Sequence, residues 1–213
     1  MRQKKDRIFV YRVLIYFACW LSGYGLWGVL RAKYGFFYPW PIKPLNLFLS
    51  EIIIGVLMVV LVMGLISFLT GHLKFLEFNK QILWLGLPFF LMIIKAFFYQ
   101  GLSLYHLELL SYSFLTVLLQ QIINFGYFYE VLNQNLSQKN KIILVTATGF
   151  ALPHLMMIFI NPLLFGLKWF LYSFLAGLFF SILRKKTKTI FAGFSLHYSF
   201  YVFFGLFFRL PVY

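Results

Sequence analysis

Residues 107–132 read LELLSYSFLTVLLQQIINFGYFYEVL, and the fold follows from how that stretch is read. It is almost uninterrupted apolar sequence, without proline, and about 20 such residues form a helix long enough to cross a hydrocarbon core about 30 Å thick. Halfway along it sit two glutamines, Gln120 and Gln121, with Asn124 one turn further on. Amides at that depth are costly, and polar residues inside such helices usually serve a function.

Working outward, similar runs recur over the whole chain. Seven spans are predicted, at about 8–30, 45–69, 82–105, 107–132, 141–160, 163–183 and 189–208. The third and fourth divide near 105–107 without a real loop, leaving a tight turn around His106 or one long bent helix as alternatives. The class is therefore all-α: a polytopic helical membrane bundle of about seven transmembrane helices, a single integral membrane domain over 1–213. Composition agrees, with 62% hydrophobic, 23% aromatic and only 11% charged residues, against roughly 25% charged in soluble domains. The run Ile8–Leu30 is longer than the 7–15 residues of a signal-peptide core and is read as a retained anchor. Tyr34–Pro44 (YGFFYPWPIKP) is read as an aromatic connector at the headgroup level.

The net charge of +14 is not a nucleic-acid signature, because the basic residues lie in short stretches between apolar runs and form no binding module. No nucleic-acid partner is expected; membrane lipid and other membrane proteins are. With the first residues inside, twelve basic residues (Arg2, Lys4, Lys5, Arg7, Lys74, Lys80, Lys139, Lys141, Arg184, Lys185, Lys186, Lys188) fall on the cytoplasmic side and four (Arg31, Lys33, Lys43, Arg209) on the other. That bias predicts the N-terminus cytoplasmic and the C-terminus outside, as in a multi-pass protein of a bacterial plasma membrane. The lone Cys19 excludes a disulfide framework or a thiolate metal site.

Two more polar residues stand mid-span: His154 and His197. At about 1.5 Å per residue, Gln121, His154 and His197 lie roughly 17, 20 and 12–14 Å from the cytoplasmic ends of their helices. They would thus share one layer if those helices are neighbours. A lone intramembrane histidine usually just bonds a neighbouring helix for about 0.6 kcal/mol; a set at one depth favours a common polar cavity, with Asn124 and Phe150 lining it.

Phe150-Ala-Leu-Pro-His154, the glutamine pair about 33 residues before it, the stretch Gly177–Ile190 (GLFFSILRKKTKTI) and His197 with Tyr201 four residues on together resemble the CPBP family, the CAAX proteases and bacteriocin-processing (Abi) enzymes. The similarity covers about 105–205. The family pattern is a Glu-Glu-x-x-x-Arg helix, a Phe-x-x-x-His helix and a His-x-x-x-Asn helix. The resemblance implies a helical bundle in which a glutamate activates water and the histidines help hold a metal or the oxyanion. The family-equivalent positions here are Gln120, Gln121, Phe125, His154, His197 and Tyr201.

Four of those positions depart from the pattern. Both glutamates are glutamine, the arginine is Phe125 and the asparagine is Tyr201. An amide cannot serve as a general base near neutral pH, and two histidines without a carboxylate fall short of the three protein ligands of catalytic zinc. The expected reading is a degenerate, catalytically inactive member acting as a binding, assembly or regulatory subunit, with no cofactor. The alternative is an active intramembrane metalloendopeptidase rebuilt around His154, His197 and Glu51, with zinc on the histidines. Haem ligation by the two histidines is a third possibility.

Overall fold

The structure, a computed structural model, describes residues 2–20, 45–70, 76, 80–98, 104–159 and 163–208. All regular structure among them is helical. Helix α1 is Arg2–Trp20 and α2 is Leu45–Thr70. A 3₁₀ turn, Lys80–Leu85, leads into α3, Gly86–Phe98. Helix α4 runs through three stretches without a break: Leu104–Gln120, Gln121–Phe128 and Tyr129–Asn135. Helix α5 is Lys139–Ala151, continued by a 3₁₀ stretch, Leu152–Phe159. Helices α6, Leu163–Thr187, and α7, Phe191–Phe208, complete the bundle.

These helices follow the seven apolar spans. His106 stands inside the first turn of α4, and residues 99–103, between α3 and α4, lie outside the described residues. Likewise the second half of span one and the Tyr34–Pro44 connector lie outside the described residues. Among the described residues one helix, Gly166–Thr187, is long and apolar enough on its own to cross a membrane, and Ile52–Phe68 and Ile82–Phe98 are shorter apolar helices.

The core is built around the middle of α4. Every residue of Gln121–Phe128 is buried. Around it pack Tyr16 and Trp20 of α1, Val59, Val62 and Ile66 of α2, Ile142 and Phe150 of α5, and Phe180 of α6. The Tyr16 and Phe128 rings stack at 3.9 Å. A second cluster joins Leu110 and Val117 of α4 to Phe194, Tyr198 and Val202 of α7, and the Tyr198 hydroxyl donates to the Leu110 carbonyl at 3.1 Å. Outward faces stay apolar, as with Val56, Leu57, Val60 and Leu61 on α2 and Leu164, Leu171 and Leu175 on α6. Contiguous apolar surface of that kind needs a nonaqueous neighbour, which lipid supplies.

Glycines set the closest approach. A Cβ on Gly177 would sit 2.9 Å from the Ala147 Cα, so α5 and α6 meet backbone to backbone. A Cβ on Gly149 would meet the Phe128 ring and the Tyr16 hydroxyl, both at 2.8 Å. Small residues at such crossings are the usual means of packing helices where lipid removes the hydrophobic drive between them.

Helix α6 ends on Lys188, which holds a left-handed backbone at φ 63 while its N–H bonds the Arg184 carbonyl at 2.9 Å. Lysine is disfavoured in that conformation, whereas glycine adopts it freely. Because this side chain is exposed, Lys188→Gly is expected to stabilise the protein by about 0.5–1 kcal/mol; a lowered unfolding midpoint in detergent would show that the lysine side chain contributes more than its backbone costs.

Candidate functional site

The middle stretch of α4 is π-helical, and this decides which side chains face inward. A π-helix bonds i to i+5 instead of i to i+4, widening the turn, and such segments concentrate at functional sites. At its end the Tyr129 N–H reaches the Asn124 and Gly126 carbonyls and passes over that of Phe125. The skipped carbonyl accepts from Arg184 Nε of α6 at 2.9 Å. At its start the Asn124 side-chain amide donates to the Gln120 carbonyl at 2.9 Å.

Within this stretch Gln121 is 0% exposed and its carboxamide meets His197 Nδ1 of α7 at 3.4 Å. The same carboxamide lies against Gly193, one turn before His197, where a Cβ would come within 2.8 Å of Gln121 Oε1. The amide is thus held between a missing side chain and an imidazole. As placed, its NH₂ faces Nδ1, which makes Nδ1 the acceptor and puts the ring proton of a neutral His197 on Nε2.

His154 is positioned by the proline before it. Pro153 has no N–H to continue the α-helical ladder, and from Leu152 the chain tightens to 3₁₀ geometry. Backbone donors there turn to carbonyls three residues back, which leaves the Phe150 carbonyl available. His154 Nδ1 takes it at 3.1 Å. A carbonyl can only accept, so Nδ1 carries the proton and Nε2 the lone pair. The two imidazoles are accordingly in opposite tautomers.

Aromatic rings connect them. The Phe150 ring lies 5.4 Å from that of His154 and 5.9 Å from that of His197. Phe180 packs on His197 at 5.0 Å, Tyr201 flanks it at 5.3 Å, and Phe125 contacts both Phe150 and Phe180. The structure therefore gathers Gln121, His154, His197, Phe150, Phe125 and Tyr201 into one cluster. Phe125 takes part through its ring, contributing apolar packing where the family pattern has a charge.

Two sequence-read positions are placed differently. Asn124 is turned to α1: its Oδ1 accepts from the Tyr16 hydroxyl at 2.8 Å and Trp20 Nε1 at 3.1 Å. Gln120 is 4% exposed, and its Oε1, like that of Gln121, has no hydrogen-bond partner among the described residues. The Glu51 side chain lies outside the described residues. Arg184 went unnoticed as a site residue because it reads as one cation of a basic turn. Only its α6 placement, 7% exposed over the Tyr129 ring and 3.6 Å from Glu130, reveals its use.

Among the described residues no three histidine, cysteine, aspartate or glutamate side chains converge, and catalytic zinc takes three protein ligands. His197 Nδ1 is engaged by an uncharged amide. What the described cluster can offer chemically is hydrogen bonding: one imidazole donor, one imidazole acceptor and the buried Gln121 amide oxygen.

A family model described as type II CAAX prenyl endopeptidase, Rce1-like, matches residues 101–203. All of the cluster falls inside the matched segment, which overlaps the 105–205 range read from the motifs over 105–203. Residues 101–203 are thus of the CAAX-protease type. No curated protein and no solved structure matches the chain.

Proposed function

We propose that this chain, a CAAX-protease-type membrane protein by its Rce1-like segment, is a non-hydrolytic member of that type and acts by binding other membrane proteins, as an assembly or regulatory subunit. The observation that carries this reading is the Gln121 carboxamide on His197 Nδ1. Splitting a peptide bond with water needs a group that takes the water's proton. A carboxamide has no such basicity, and the imidazole beside it is engaged by an uncharged partner. His154 is held at Nδ1 by the Phe150 carbonyl and not by a carboxylate, so among the described residues it lacks the base-and-orienter pairing that activated water requires.

The same geometry supports a binding role. The aromatic and amide cluster is fully formed by α4, α5, α6 and α7. The multi-pass arrangement with its basic end in the cytoplasm belongs to this reading. Arg12 of α1 donates to Gln134 of α4 at 2.7 Å, and Glu130 pairs with Arg184; these contacts support placing that end of α4 and the basic end of α6 on one side of the bundle.

The test is cleavage. In lipid nanodiscs, the purified protein is expected to leave a prenylated CAAX-type peptide and an unprenylated transmembrane peptide intact, with no change on adding zinc or a chelator. Cleavage that disappears in His154→Ala would overturn the proposal, and chelator sensitivity of that cleavage would point to the site rebuilt with Glu51. Gentle solubilisation should retrieve a stoichiometric membrane partner; a protein that always purifies alone would remove the binding role.

A further inference from the structure

The π-helical stretch of α4 is held at both ends by side chains from other parts of the bundle. At its start the Asn124 amide occupies the Gln120 carbonyl, and Asn124 is itself fixed by Tyr16 and Trp20 of α1. At its end Arg184 Nε occupies the Phe125 carbonyl that the Tyr129 N–H passes over. A buried carbonyl without a donor costs about 1–3 kcal/mol. Without these donors the stretch lowers its energy by returning to i→i+4 bonding, in which the Tyr129 N–H itself would take the Phe125 carbonyl.

That return changes which residue faces α7. Removing the extra residue of a wide turn rotates one half of the helix against the other by about one residue step, roughly 100°. Gln120 and Gln121 are adjacent, both buried, and both carry an Oε1 unpartnered among the described residues. One step is the angular difference between them. The sequence offers two equivalent amides, and the helix register selects one.

We propose that Arg184 is a positioning residue that locks α4 in its π-helical register and thereby presents Gln121, rather than Gln120, to His197. Glu130 orients the guanidinium from its own helix at 3.6 Å and is in turn bonded by Gln134; the locking contact is Nε on the Phe125 carbonyl. The proposal is independent of whether the site hydrolyses anything, since it concerns which amide the site contains.

Site-directed cross-linking tests it separately from cleavage. In a Cys19→Ala background, cysteines replace His197 together with either Gln121 or Gln120, and a short bifunctional thiol reagent is applied in nanodiscs. The expected result is efficient cross-linking of the 121–197 pair and little of the 120–197 pair. Adding Arg184→Leu should reverse the preference, while Glu130→Gln, which breaks the ion pair but leaves Nε on its carbonyl, should not. If Arg184→Leu does not fold, Arg184→Lys, which keeps the charge but lacks Nε, serves in its place and should shift the ratio in the same direction. A 121–197 preference that persists in folded Arg184 variants overturns the proposal. An equal shift in Glu130→Gln overturns it too, because the ion pair and not the carbonyl contact would then set the register.

Discussion

Leucine in place of Gly177 should force α5 and α6 apart and cost about 3 kcal/mol or more, at the upper end of overpacking effects. The reason is what the new side chain meets. Its Cβ would lie 2.9 Å from the Ala147 Cα and 3.1 Å from its carbonyl oxygen, and backbone cannot rotate away as a side-chain tip can. Because Phe150 sits on the same pair of helices, 3.2 Å from that Cβ position, the displacement would reach the histidine cluster as well. Gly64 on α2 is the matched control, with nothing within 4 Å of its Cβ position. Thermal unfolding in detergent should separate Gly177→Leu sharply from Gly64→Leu; similar midpoints for the two would refute the close-approach account.

The second large effect is expected at Asn124. Leucine there removes three hydrogen bonds at once: those from the Tyr16 hydroxyl and the Trp20 indole N–H, and the one to the Gln120 carbonyl. Interhelical hydrogen bonds in membranes average only about 0.6 kcal/mol, which would make the change minor. The residues involved, however, are enclosed by protein in the native fold, so the larger penalty of about 1–3 kcal/mol for weakening the hydrogen bonding of a buried group governs. A loss of about 2–4 kcal/mol follows, with α1 loosened from the bundle. Asn124→Asp keeps the acceptor for Tyr16 and Trp20 while losing the donor to Gln120, and should fall between. Protease sensitivity of α1 together with unfolding midpoints measures both, and a wild-type profile for Asn124→Leu would reject the anchoring role.

Much of this was legible in the chain before any coordinates. The apolar runs gave the helices, since the period of hydrophobic residues is a local property. The Phe150–His154 and His197 positions stood out because a polar residue halfway along such a run is conspicuous. Arg184 did not, since a cation at a helix end beside Lys185 and Lys186 looks like an ordinary solvated terminus. Asn124 was conspicuous but was read toward the histidines, because an α-helical spacing puts it on the face of Gln120 and Gln121; the π-helical turn breaks that spacing and sends it to α1. The replacement of glutamate by Gln120 and Gln121 was plain in the letters, whereas which of the two meets His197 was not.

What the sequence determined by itself is the number and placement of apolar helices and the lack of a carboxylate at the family's base positions. Both are properties of residues counted along one strand of chain, and in lipid a backbone that must bond to itself has little choice but the helix. The tertiary structure alone decided the contents of the polar centre. Its decisive contacts join residues 59 to 108 positions apart, and the rotation that selects Gln121 depends on a guanidinium donated by another helix. A hydrogen bond of that kind leaves no periodic trace, because its energy depends on where two distant backbones cross and not on what precedes or follows either residue.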